Sequence, residues 1–261
     1  MAQPQNLSLS SIVSHCNVGA HFIDTGNYGD AVAYLRVGFQ AARRELRCKP
    51  YDEQAHLERM EHQNHWVSFS LDQYMVKETT ITKHCNCYGE GDSSSTFIYS
   101  HPIHIPVPKT ETTESLHPQN KLAILSGVLF NLALCHQLEA MRCEVDDPNR
   151  LLWLTKAAKL YESIFRLVQI GTNDVQDSSY FLMAALNNVG VAYQSLNRPE
   201  IAGLYLRRLV SMMMVLINSN QYNRISVHNH HGYYSSSVFE CFFLNTYQLI
   251  MSDGSCAAPA A

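Results

Sequence analysis

The chain has 261 residues, 46% of them hydrophobic, which is enough for one large domain or two small ones with a sizeable core. Charged residues make up only 16% and the formal net charge is −4, which argues against charge-driven disorder and against a basic nucleic-acid footprint. The eight cysteines, behind a polar Met1 to Ser10 that lacks a secretory apolar core, are expected to be reduced thiols of an intracellular protein, cytoplasmic or nuclear.

Residues 1–49 are expected to form a helical hairpin, 11–24 with 28–47, turning at Gly26-Asn27. Residues 50–116 differ. Tyr51 to Asn64 is polar, a surface helix or a linker. From Met75 to Cys87 odd positions lean apolar, and Thr79, Thr80, Ile81 and Thr82 are β-branched. Turn chemistry follows at Tyr88 to Asp92, then Phe97, Ile98, Tyr99, Ile103, Ile105 and Val107. This pattern predicts an inserted β-hairpin whose second strand is irregular or at an edge, because Pro102, Pro106 and Pro108 cannot donate to a ladder. Residues 117–217 predict four helices. Pro118 opens the first, over 119–141. Asp147-Pro148 is an N-cap followed by proline at the first helical position, and apolar periodicity from Leu151 runs to Gly171. The last two span 180–196 and, after Asn197 and Pro199, 199–217. Residues 218–237 read as a mobile loop, and 238–261 as an apolar capping helix with a tail. No uninterrupted apolar run reaches a membrane-spanning length, since Leu209 to Ile217 is broken by Ser211, so no membrane partner is expected.

Three of these segments share a pattern. Asn17-Val18-Gly19 is followed three residues later by Phe22, and twelve after the glycine by Ala31. Asn188-Val189-Gly190 is followed at the same offsets by Tyr193 and Ala202. Asn131-Leu132-Ala133 has His136 at the aromatic position and reaches Ala157 after a longer turn. Small residues at such spacing let two helices approach closely while the aromatic fills the seam. The pattern resembles the tetratricopeptide repeat (TPR), a helix-turn-helix unit of about 34 residues, and Ala185 to Tyr193 is most similar to its kinesin-light-chain type. The resemblance covers roughly half the chain. It departs from the family at the missing tryptophan (His15, Leu129 and Leu186 stand there) and at the missing turn glycine of the second and third copies. The fold it implies is mostly α: a short TPR-like array of three antiparallel helical hairpins plus the capping helix, carrying the inserted β-hairpin.

The resemblance places Asn17, Asn131 and Asn188 on the concave face, where such asparagines hold the backbone of an extended peptide. An amide suits the task because its C=O and N–H₂ match both groups of a peptide unit. Asn187, Phe130, Leu134, Val191 and Gln194 are the other groove residues it implies, with Val13, Cys16, Ala20, Asp24, Leu138 and Ala184 beside them. The expected function is therefore a non-catalytic protein-protein interaction module without cofactor. The groove lacks the Lys or Arg needed for acidic chaperone tails, and the free groove amides are expected to be solvated. No nucleophile elbow, phosphate loop or HExxH helix is present. Cys85, Cys87, His101 and His104 are weak zinc candidates, and His228, His230 and His231 form a second cluster. They keep a metal-dependent enzyme open as one alternative. An architectural subunit of a homo- or hetero-oligomer, packing through Met212 to Met214 and Phe242-Phe243, is another.

Overall fold

The computed structural model describes residues 9–45, 98–105, 118–144, 146–171, 179–218 and 241–247. Six long helices account for most of them: α1 (Leu9–Asp24), α2 (Tyr28–Glu45), α3 (Pro118–Arg142), α4 (Pro148–Gly171), α5 (Ser179–Ser195) and α6 (Pro199–Asn218). A helical segment, α7, covers 241–247 of the described residues. Each of the six long helices lies within two residues of its expected limits, because caps and turns mark them locally. The Asp147 carboxylate accepts from the Asn149 N–H at 2.8 Å, and Pro148 takes the first helical position, where a missing N–H costs nothing.

The turns of the first and third hairpins are built alike. In the first, the Asn27 N–H reaches the Phe22 C=O at 2.9 Å or less (2.8 Å) and the Gly26 N–H reaches the Ile23 C=O at 2.9 Å. In the third, the Arg198 N–H bonds the Tyr193 C=O at 2.9 Å and the Asn197 N–H bonds the Gln194 C=O at 3.0 Å. This double closure of a helix end requires a left-handed residue after the last turn. Gly26 (φ 74°) and Asn197 (φ 56°) supply it at equivalent places, seven residues after Gly19 and Gly190. Asparagine tolerates this conformation, so the third copy needs no turn glycine.

The helices pack as consecutive pairs, α1 on α2, α3 on α4 and α5 on α6, and neighbouring pairs meet through α2 on α3 and α4 on α5. The first helices of the pairs also touch, α1 with α3 and α3 with α5. The small residues sit at the closest approaches. A Cβ on Gly19 would lie 2.5 Å from Leu35 Cγ, and one on Gly190 would lie 2.7 Å from Leu206 Cδ2. Ala31, Ala133, Ala157 and Ala202 are buried with them. The aromatics fill the seams: Phe22 against Tyr34 at 5.4 Å between centroids, and Tyr193 stacked on Tyr205 at 5.8 Å. His136 plays this part in the middle pair by stacking on Trp153 at 4.9 Å.

Two expectations change here. The described part of the predicted hairpin, residues 98–105, is not a strand; it is an extended strap lying against the helices. Its apolar alternation is real, but Pro102 removes a donor and the backbone pairs with side chains instead of another strand. The first predicted strand, 75–87, lies outside the described residues, as do the 51–64 segment and residues 219–237 of the expected 218–237 loop, while Asn218 closes α6. Secondly, Leu122–Arg142 of α3 is long and apolar enough to cross a membrane by length and composition, and 78% of its most apolar stretch is buried inside the array. A search for uninterrupted apolar runs passes over it, because Ser126, Asn131, His136 and Gln137 break the run. Helices on several sides account for its apolar character.

Two outcomes follow from this packing. Gly190→Leu should cost about 1–3 kcal/mol or more through overpacking against Leu206. Gly203→Ala, whose Cβ would meet only the movable Arg207 guanidinium at 3.2 Å, should be neutral or stabilising by up to about 1 kcal/mol. Urea midpoints of the two variants check the contrast. His136 is 3% exposed, and burial, then Lys156 and Arg36, push its pKa down to about 4. The unfolded chain binds that proton near pH 6.5, so the contribution is complete above 6.5 and is lost as pH falls towards 4. His136→Phe should flatten that part of the stability-against-pH curve, measured by urea unfolding at intervals from pH 7 to 4.

Candidate functional site: an asparagine column and its strap

The three repeat asparagines stand on α1, α3 and α5, and each faces the strap. Asn17 Oδ1 accepts from the Ile105 N–H at 2.7 Å, and its Nδ2 donates to the Ile105 C=O at 2.7 Å. Asn131 makes the same pair with Ile103, at 2.7 and 2.8 Å. Asn188 makes it with Tyr99, at 2.9 Å for both bonds. Each side-chain amide thus satisfies both polar groups of one extended residue. The strap residues involved are separated by four and by two, and even spacing in an extended chain turns their polar groups to one side. The strap runs from the third hairpin to the first.

A second row of polar groups fixes the column. Asn188 Nδ2 also donates to the Tyr161 hydroxyl at 3.1 Å, and Tyr161 donates to Gln137 Oε1 at 3.1 Å. Gln137 Nε2 in turn reaches the backbone C=O of Asn188 at 3.1 Å. Asn187 Nδ2 donates to Asn188 Oδ1 at 3.1 Å, and its own Oδ1 accepts from Asn245 of α7 at 2.7 Å. Asn131, Gln137, Asn187 and Asn188 are all fully buried. Such a network is stabilising only when its members are satisfied, and it defines which way each amide points.

The apolar side chains of the strap fill the groove. Tyr99 packs edge-on against Phe130 at 6.2 Å and lies 6.4 Å from Phe242 of α7. Ile103 and Ile105 lie over Gly127 of α3; a Cβ there would come within 3.1 Å of Ile105 and 3.8 Å of Ile103. Phe130, Leu134 and Val191 are buried in the core. Gln194 is half-buried at the end of α5, and its C=O serves the turn to Asn197.

Contrary to the expectation that the free groove amides are solvated, the chain's own Tyr99, Ile103 and Ile105 occupy them. Of the zinc candidates, His101 stacks edge-on to Tyr99 at 5.7 Å, and His104 pairs with Asp24 of α1 at 3.0 Å. Cys85, Cys87 and the 228–231 histidines lie outside the described residues, and among the described ones no three His, Cys, Asp or Glu side chains gather as a metal site. Burial pushes the Cys16 thiol, beside Asn131, up to about 12, and raises Tyr161 as well, so both groups beside the column stay protonated. The chemistry of the arrangement is the pairing of side-chain amides with backbone N–H and C=O groups. α7 also falls in a different place from an end cap: Phe242 and Asn245 meet Tyr99 and Asn187 on the groove side, while Leu204, Met214 and Val215 of α6 stay exposed.

Gln137, Tyr161, Gly127 and Asn245 are absent from the sequence-derived set. Gln137 and Gly127 lie on the same helix as Asn131, but only the strap's position gives them a role. No protein-family model matches the chain, and neither a curated protein nor a solved structure is found to be similar to it.

Asn131→Ala should leave the Ile103 N–H and C=O buried and unpaired, destabilising the fold by about 2–4 kcal/mol. Asn17→Ala, at the half-buried end of the column, should cost less, about 1–2 kcal/mol. Denaturant unfolding of both variants gives the comparison, and equal small losses would mean that the strap amides are not held by the column.

Proposed function

We propose that this chain is a divergent TPR array of the kinesin-light-chain type and acts as a non-catalytic protein-protein interaction module, gripping an extended peptide segment along its asparagine-lined groove. The observation that carries the reading is the repeated amide pair: three side chains in register, each matched to both polar groups of one extended residue. The shared turn geometry and close glycine contacts of the first and third hairpins support the repeat assignment. The partner is a protein, because the amide pairs match a peptide backbone. Cys16, Cys135 and Cys143 carry thiols, in keeping with the cytoplasm or nucleus as the proposed location.

The reading is tested in the full-length chain with the strap weakened by Tyr99→Ser and Ile103→Ser. A fluorescently labelled peptide with the sequence Ile98 to Ile105 should then bind saturably. Adding Asn131→Ala should weaken that binding by about tenfold or more. Peptide binding indifferent to Asn131, measured by anisotropy, would remove the reading.

A further inference from the structure

Resting on that reading of the groove, we infer that the resident strap is the template of its ligand class: an extended peptide with uncharged anchors, an aromatic residue and β-branched aliphatic residues four and six positions after it. The side-chain contacts carry this. The aromatic anchor has its own socket, since the Tyr99 ring is 4% exposed between Phe130 and Phe242. The two aliphatic anchors share a floor at Gly127, and Ile103 and Ile105 are each 1% exposed there.

The spacing is set by the asparagines. Each anchor is a residue whose backbone is clamped, so a one-residue slip would turn every anchor out of the groove. Burying a carboxylate or an ammonium at any anchor would leave the charge facing neutral amides and apolar rings, which excludes charged residues at these three places. Between the aliphatic anchors, His104 points outward, half-exposed, and reaches Asp24. A hydrogen-bond donor or cation therefore suits that position and a carboxylate does not. Pro102 is buried just ahead of the first aliphatic anchor, where a fixed φ favours the extended form and lowers the ordering cost of a peptide.

The strap belongs to the same chain as the groove, so it competes as an intramolecular ligand. A partner of the same class binds by displacing it. Binding to the wild-type chain should thus be weaker than binding to a chain whose strap has lost its anchors.

The test uses the full-length Tyr99→Ser, Ile103→Ser chain and two labelled octapeptides. One has the order Ile98 to Ile105. The other interchanges Tyr99 with Ser100 and Ile103 with His104, which keeps the composition and moves two anchors outward. The native order should bind at least about thirtyfold more tightly. Equal, Asn131-dependent affinities would overturn the anchor code while leaving the groove as a peptide binder. Failure of both peptides to bind a variant that keeps its helicity would overturn the interaction reading too. In the wild-type chain, excess native-order peptide should speed hydrogen exchange at the Tyr99, Ile103 and Ile105 amides, and the interchanged peptide should not. This decides the matter should the double variant fail to fold, because unchanged exchange with saturating native-order peptide overturns displacement.

Discussion

The rest of the molecule depends on one short contact repeated three times: a side-chain amide held within 2.9 Å of a backbone N–H and C=O. Asparagine is a short residue, so the contact demands that the extended backbone lie almost on the helix surface. The helices must also stand at the right separation. Both demands are met by the residue two places after each asparagine. Positions two apart on a helix point about 200° apart. While Asn17 and Asn188 face the strap, Gly19 and Gly190 face the partner helix and let it approach. The small residue and the amide are thus the two sides of one spacing rule: the first sets the hairpin, and the second uses the surface that the hairpin presents.

Placing this much amide in a core is costly unless each group is paired, since a half-satisfied buried network is worse than an apolar one. Here the strap supplies the missing partners. Its backbone satisfies the asparagine column, and its Tyr99, Ile103 and Ile105 side chains close the groove. Gln137 and Tyr161 hold Asn188 from behind, and Asn187 links the column to Asn245. The polar row and the apolar row therefore come as a set. A strap shifted by one residue would leave amides unpaired and expose the anchors together.

Much of this frame is legible from sequence, because it is local. Caps at Asp147-Pro148 and turns at Gly26 and Asn197 mark helix limits, and the glycine and alanine positions record the close approaches. What fills the groove is not local. Ile105 and Tyr99 lie 88 and 89 residues from the asparagines that bind them. Alternation of apolar residues is the same for a strand in a sheet and for a strap on a column of amides, so period alone chose the commoner answer, a hairpin. The same limit hid α7: an apolar segment after the last repeat reads as an end cap, and only the contacts of Phe242 and Asn245 put it over the strap. The apolar length of Leu122–Arg142 is likewise decided by neighbours that sequence does not supply.

The groove separates two kinds of recognition that are usually mixed. The amide pairs read backbone and treat nearly every extended residue alike, proline excepted because it lacks the N–H. Under the proposed function, selectivity falls to the aromatic socket at Phe130 and Phe242, to the Gly127 floor, and to Asp24 at the rim. The resident strap has both kinds of contact and the added advantage of being tethered. An outside segment gains nothing by offering a different backbone. Under the proposed function it competes only through better-filled sockets or a higher local concentration, and the sockets, more than the asparagines, then set the choice of partner.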